Sequence, residues 1–200
     1  GRIMKLERLL AGLSFGEGPR WRDDRLYFSD FYVHQVRTVD ESGRAETIVE
    51  VPGQPSGLGS RPDGTMLIVS MTDRRLMRFA GGKLTVEAEL GGIATGLCND
   101  MIVDAKGRAY VGNFGFDRHA GEAPRPAVLA RVDPDGSVHS AASELMFPNG
   151  SVITPDGRTM IIAETFAKRL TAFDLAEDGT LSNRRVWAET PTCNPDGICL

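Results

Sequence analysis

The chain has 200 residues, 41% of them hydrophobic and 25% charged, with a net charge of −4 at pH 7. This is the composition of a soluble globular protein with enough apolar material for a sizeable core, and the acidic balance without a Lys/Arg cluster argues against a nucleic-acid partner. No apolar run is long enough to span a bilayer, and three cysteines (Cys98, Cys193, Cys199) at no metal-ligand spacing argue against a disulfide framework, so no membrane partner and a reduced, cytoplasmic setting are expected.

In chain order, the first recognisable element is a lead-in, KLERLLAGLSFGEG, ending at Glu17-Gly18. Four similar stretches follow, opening at Gly18 (GPRWRDDRLYFSDF), Gly57 (GLGSRPDGTMLIVSM), Asp100 (DMIVDAKGRAYVGNF) and Gly150 (GSVITPDGRTMIIAE). Each runs apolar segment, tight turn, second apolar segment, polar turn and third segment, then closes on a fourth: AETIVEV, LTVEAEL, VHSAASEL or RRVWAET. The second segments are rich in Val, Ile, Tyr, Phe and Met, too short for helices and bounded by Asp-Gly or Lys-Gly turns, which predicts β-strands throughout. The anchors Gly18, Gly57, Asp100, Gly150 and Gly197 lie 39, 43, 50 and 47 residues apart. A four-stranded unit repeating every ~40–50 residues is the mark of β-propeller blades. A sandwich would supply short strands, but not the same four-step order.

The predicted blades are approximately 18–52, 57–91, 100–146 and 150–190. The lead-in resembles RRVWAETPTCNPDG, so 4–10 is expected as an outer strand lacking its first three partners and 197–200 as the start of a fifth blade. The chain is accordingly expected to hold four full blades and two fragments, and to be truncated at its C-terminal side, because open sheet edges invite edge-to-edge pairing.

In a propeller, residues at one register in successive blades point at a common axis. Just before the anchors stand Glu17, Ser56, Asn99, Asn149 and Asp196, all with side-chain oxygens. Any single Asn or Asp before Gly has a simple explanation as a turn residue. Five polar residues in register, including Glu17, which is a poor turn former, point instead to a shared oxygen-lined site. Hard cations take several such oxygens, and Glu17, Asn149, Asp196 and Asn99 supply them. The absence of His and Cys from the register disfavours a dedicated zinc or copper site. The other Asp-Gly pairs (Asp63-Gly64, Asp135-Gly136, Asp156-Gly157, Asp178-Gly179) are expected as hairpin turns.

The segments GEGPRW (16–21), PSGL (55–58), CND (98–100), PNGSVITPDG (148–157) and NPDGICL (194–200) resemble the motif series of the SMP-30/gluconolactonase/luciferin-regenerating family. The resemblance covers essentially the whole chain. It implies a six-bladed propeller, of which about four blades and two fragments are present, with about two further blades beyond. It also implies a divalent metal in the central channel, usually Ca²⁺, with Mg²⁺, Mn²⁺ or Zn²⁺ as other candidates. Glu17, Asn149 and Asp196 fall on the direct ligands. Asn99 falls on an Asn that approaches the metal or the substrate oxygen, and Asp196 also on the carboxylate that acts as base or nucleophile. The implied activity is metal-dependent hydrolysis of a small-molecule lactone or ester, with Asp196 and Asn99 as the catalytic residues. A phosphotriesterase-like hydrolase and a non-catalytic calcium-binding propeller that acts as an interaction module are the alternatives. One departure concerns substrate choice: where sugar-lactonase members place an Arg two residues before the Asn, this chain has Leu97.

The longest insertion, 114–126 (FGFDRHAGEAPRP), lies between the second and third strands of the third blade, and its Phe116, Asp117, Arg118 and His119 could close over the channel. Phe116 and His119, with Asn99, are taken as substrate-binding candidates, against the alternative of a solvated loop braced by proline. Trp21 and Trp187 read as blade-packing residues. Glu164 reads as a stray polar residue or as a support to the site, and Cys98 and Cys193 as small buried fillers.

Overall fold

The computed structural model describes residues 6–200. They form sixteen strands in four antiparallel four-stranded sheets, each a simple meander. Blade 1 contains β1 (Gly16–Arg22), β2 (Arg25–Asp30), β3 (Gln35–Asp40) and β4 (Ala45–Glu50), with a short 3₁₀ turn at Phe31–Val33. Blade 2 contains β5 (Pro55–Ser60), β6 (Met66–Ser70), β7 (Arg75–Ala80) and β8 (Lys83–Glu89). Blade 3 contains β9 (Cys98–Val103), β10 (Ala109–Asn113), β11 (Ala127–Val132) and β12 (Val138–Leu145). Blade 4 contains β13 (Pro148–Ile153), β14 (Thr159–Glu164), β15 (Arg169–Leu175) and β16 (Leu181–Glu189). The four repeats are therefore four blades in an all-β, propeller-like arrangement. Each begins about two residues before the expected anchor, so Glu17, Ser56, Asn99 and Asn149 sit inside the innermost strands and not in the loops before them.

The first strand of each blade is the inner one, and these strands pack in chain order, β1 on β5, β5 on β9 and β9 on β13. Apolar side chains fill the space between neighbouring blades. Val36, Val51, Leu58 and Ile68 join blades 1 and 2. Leu67, Val69, Leu76, Met101 and Val111 belong to the cluster between blades 2 and 3. Tyr110, Leu129, Met160, Ile162 and Phe173 join blades 3 and 4. The second strands supply much of this core because they are covered on both faces, which explains their nearly continuous apolar reading. The Asp-Gly turns behave as expected: Asp63, Asp135, Asp156 and Asp178 each accept a backbone N–H from two residues on, at 2.9–3.0 Å.

Two devices fix the inner strands. The first is close backbone approach. A Cβ added at Gly57 would stand 2.6 Å from Met101 N and 2.9 Å from Asn99 O, and one at Gly150 would stand 2.6 Å from Ile198 N and 2.7 Å from Asp196 O. The second is a buried polar residue closing each second strand: Asp30, Ser70, Asn113 and Glu164 pair across the ladder with Gly16, Pro55, Cys98 and Pro148. Three of them hold the lead-in to the inner strand. Asp30 accepts N–H groups from Ser14 at 2.9 Å and Phe15 at 3.1 Å, Asn113 accepts one from Gly96 at 3.4 Å, and Glu164 accepts one from Met146 at 2.8 Å.

Among the described residues the two end segments lack the partner strands expected for them, and a few single residues are placed otherwise than expected. Of the segment 4–10, Met4 and Lys5 lie outside the described residues, and Leu6–Leu10 form no strand and pair with no sheet. Residues 197–200 form no strand either, although Ile198 packs on Val152, Ile161 and Ala172 of blade 4. Trp21 and Trp187 are 55% and 56% exposed and are not buried between blades: Trp21, at the end of β1, lines a groove with Leu58 and Met66 of blade 2 and Ile102 and Val103 of blade 3, and Trp187 lies on the outermost strand of blade 4. Cys193 is exposed, because it lies in the turn after β16, whereas Cys98 is buried and burial pushes its thiol up to about 12. Among the described residues no helix is long and apolar enough to cross a membrane.

The glycine contact gives the first prediction. Gly57→Ala should lose about 1–3 kcal/mol of stability, because backbone and not a flexible side chain must move. Chemical denaturation would show a lower midpoint at unchanged slope; an unchanged midpoint would mean that the inner strands separate freely.

Candidate functional site

Each inner strand carries an irregularity at the same place. The ladder shifts register between Pro55 and Leu58, between the partners of Val111 and Asn113, between Pro148 and Ser151, and in β1 between Glu17 and Arg20. The bulged stretches contain Ser56-Gly57, Asn99-Asp100 and Asn149-Gly150, while in β1 the break follows Glu17 directly. A bulge re-aims a side chain, and bulges are frequent beside active sites. The result is one cleft of about 640 Å³ whose lining includes Glu17, Ser56, Asn99, Asn149 and Asp196. The five register residues, drawn from four blades and the segment after blade 4, are brought together.

Their partners differ. The side-chain N–H of Asn149 donates to Thr165 Oγ1 at 3.2 Å, and the Thr165 hydroxyl donates to Pro195 O at 2.8 Å. This relay ties Asn149 to the segment bearing Asp196 and leaves the amide oxygen of Asn149 as its free end. Ser56 Oγ donates to Asn99 Oδ1 at 3.3 Å. Asp100, next to Asn99, pairs with Arg20 at 3.1 Å, and the same Arg20 nitrogen donates to Met101 O at 2.9 Å. Neither Glu17 nor Asp196 has an ion-pair partner among the described residues. The Glu17 carboxyl is accordingly pushed above its ordinary value of 4.5, first by burial, then by the charge of Asp196 and then by that of Asp100, against a hydrogen bond from the Gly18 N–H.

Two carboxylates that share a cleft and have no ion-pair partner, flanked by amide oxygens, suit a hard divalent cation. Among the described residues no three or more His, Cys, Asp or Glu side chains gather to hold a metal. The set here has only two acids and depends on amide oxygen for the rest, which fits calcium better than zinc.

The insertion 114–126 delivers residues unequally. Phe114, Arg118 and His119 line the cleft. Phe116 does not: it is 3% exposed and packs on Phe147 and Phe166, at centroid distances of 6.2 and 5.9 Å. As an alternating aromatic in a loop it read like a contact residue, but the loop turns it inward and presents Phe114 instead. Glu164 is fully buried and lies outside the cleft lining, so it acts through the lead-in to β13. Its carboxyl is pushed up by burial, yet hydrogen bonds from Arg169, Thr171 and the Met146 N–H outweigh this and leave it below the usual range.

Missed in the sequence were Phe15, Gln54 and Phe147, which also line the cleft. The signal was available, since each lies two residues before a register position, as Leu97 does.

A bulged inner strand at every repeat and an oxygen-lined cleft at their shared end define a β-propeller with an axial acid-and-amide site. Residues 15–200 match the family described as SMP-30/Gluconolactonase/LRE-like region. The chain belongs to that family. It is 30% identical over 192 residues to the pentonolactonase XacC of Haloferax volcanii, covering 92% of this chain and 62% of the relative. It is 26% identical over 194 residues to a 6-deoxy-6-sulfogluconolactonase of Pseudomonas putida, covering 92% and 64%. The chain thus spans less than two thirds of the length of these curated relatives. Among solved structures, a gluconolactonase from Xanthomonas campestris superposes with a TM-score of 0.79 at 24% identity, covering 96% of this chain and 68% of that one, a likeness of fold.

The raised Glu17 carboxyl gives a pH prediction. A carboxyl whose folded pKa exceeds its unfolded one binds more protons in the folded state, so its contribution to stability falls as pH rises from about 4.5 through the folded value. In chelator, Glu17→Gln should therefore match or exceed the wild-type melting temperature, with the gap widening as pH rises. Calcium at about a hundred times its Kd should stabilise the wild type by about 2.7 kcal/mol and the variant by much less. Thermal melts from pH 4 to 8 would check this; a variant less stable than wild type in chelator at neutral pH would contradict it.

Proposed function

We propose that this protein is a metal-dependent hydrolase of lactones, with Glu17, Asn149 and Asp196 holding a calcium ion. The observation that carries the reading is the pair of carboxylates, Glu17 and Asp196, which line one cleft with amide oxygens and form no ion pair with Arg118, the cationic side chain of that cleft, or with any other described residue. A calcium ion there would act as a Lewis acid toward the lactone carbonyl. The names of the two curated relatives support a lactone as the substrate class. The same reading takes the ring as six-bladed, with 4–10 as the outer strand of its last blade. Support comes from Ile198, which begins to cover the free side of blade 4.

The chain's own residues then divide the work. Asp196 accepts a proton from water as the water oxygen bonds to the carbonyl carbon. The ring C–O bond breaks, the proton passes to the departing alkoxide, and a hydroxy acid results. With its carbonyl oxygen engaged by the Ser56 hydroxyl, Asn99 keeps its N–H groups to orient the substrate oxygen. The Thr165 relay keeps Asn149 and the Asp196 segment at a fixed separation. Glu17 serves the metal alone.

The test uses the full-length protein. Asp196→Asn should abolish turnover while metal still binds, because an amide keeps an oxygen but cannot accept the proton. Glu17→Gln should instead raise the calcium requirement and recover at excess calcium. Lactone hydrolysis measured against calcium concentration separates the two. Full recovery of the Asp196 variant would make Asp196 a ligand only and move the base to His119, and activity indifferent to chelator would refute the metal.

A further inference from the structure

Above the acid register the cleft has a second tier. Phe15, Gln54, Leu97 and Phe147 each stand two positions before Glu17, Ser56, Asn99 and Asn149, at the lead-in to the four inner strands, and all four line the same cleft. The tier is part of the blade repeat, not an accident of one loop. Gln54 and Phe147 share a left-handed backbone, at φ 70° and 58°, and each is followed by a proline. A bulky residue persists in that conformation only where its surroundings over-determine it.

For Phe147 those surroundings are aromatic. Its ring is stacked against Phe114 at 4.4 Å and 8° and against Phe166 at 4.6 Å and 16°. The Phe114 N–H donates to Leu97 O at 3.0 Å, which seats the end ring of the stack beside the third member of the tier. Phe114 is only partly covered and lines the cleft, so the stack terminates in a ring presented to the ligand space. On blade 1, Phe15 is tilted against Phe31 at 5.8 Å and edge-on to Tyr32 at 6.0 Å, and both partners line the cleft as well. The floor of the cleft is therefore acid and amide, while three of the four tier positions are apolar.

We propose that this tier is the specificity surface, and that the lactone taken here carries a flat, apolar substituent in place of a chain of hydroxyls; the proposal rests on the hydrolase reading above. A polyhydroxylated ring would lose water from each hydroxyl and find in the tier only the Gln54 amide to replace it, the other polar groups of the cleft outside the acid register being Arg118, His119 and the Tyr32 hydroxyl. An aryl group would meet the rings of Phe114 and Phe15 and lose no hydrogen bond.

The test compares dihydrocoumarin, a phenyl-fused lactone, with glucono-1,5-lactone on the calcium-loaded full-length protein. Intrinsic reactivity cancels when wild type and variant are compared on each substrate. Phe114→Ala should lower kcat/KM for dihydrocoumarin about tenfold, chiefly through KM, with a much smaller effect on glucono-1,5-lactone. Leu97→Arg should move the ratio of the two substrates about tenfold toward glucono-1,5-lactone. Equal effects of each variant on both substrates would overturn the proposal while leaving the hydrolase reading standing. If neither lactone is hydrolysed, the hydrolase reading is what fails, and calorimetry with the matching lactams decides the tier. Tighter binding of 3,4-dihydroquinolin-2-one than of glucono-1,5-lactam, weakened by Phe114→Ala, would sustain an aryl-binding surface; equal or weaker binding would end it.

Discussion

The inner strands touch backbone to backbone, and most of the architecture follows from that contact. Where Gly57 meets Asn99–Met101, and where Gly150 meets Asp196–Ile198, there is no room for a Cβ. Strands this close cannot interdigitate side chains at the contact. The neighbouring residues must turn aside, and the bulges at Ser56-Gly57, Asn99-Asp100 and Asn149-Gly150 provide the turn. Polar side chains are thereby aimed along the axis, where water or a ligand satisfies them, and apolar ones go between blades. The contact thus separates a dry core from a wet axis.

Holding such a junction requires the preceding loop to be fixed, which is the role of the polar residue at the end of the second strand in blades 1, 3 and 4. Asp30 and Glu164 are almost fully buried carboxylates, yet both are pushed below the usual range because the hydrogen bonds they accept outweigh burial. Arg37 faces the first at 3.5 Å, and Arg169 meets the second at 2.8 Å. Those two charges are fully compensated and serve structure. Glu17 is the contrasting case: burial and the Asp196 charge push it up, and no side chain compensates it. Within one blade design, one acid is satisfied by the protein and another is left for something outside it. The Arg20–Asp100 pair limits that demand by neutralising the third nearby acid.

How much of this could be read in advance depended on the kind of signal. The four-strand unit was legible because turn chemistry and strand length are local and repeat four times. The oxygen register was legible for the same reason, since repetition turns five polar residues, each unremarkable alone, into a pattern. Phe116 was misjudged because alternation along a loop does not say which side faces the cleft, and the loop buries it against Phe147 and Phe166. Trp21 and Trp187 were misjudged because size and hydrophobicity suggest a core, whereas Trp21 ends β1 in an open groove and Trp187 falls on an outermost strand. Glu164 looked incidental because, besides Arg169 and Thr171 on the next strand, its partners Met146 and Arg184 lie 18 and 20 residues away and meet it only when blade 4 is folded.

The sequence by itself determined the repeat, the all-β character, the blade boundaries to within about two residues and the register of polar positions, because each is written in spacing and in short-range turn preferences. Only the tertiary structure decided which acids are compensated and which are not. The aromatic stack of Phe114, Phe147 and Phe166 was likewise decided there. The physical reason is the same in each case: compensation, stacking and convergence depend on distances between residues from different blades, and the chain fixes those distances only when the inner strands close on one another.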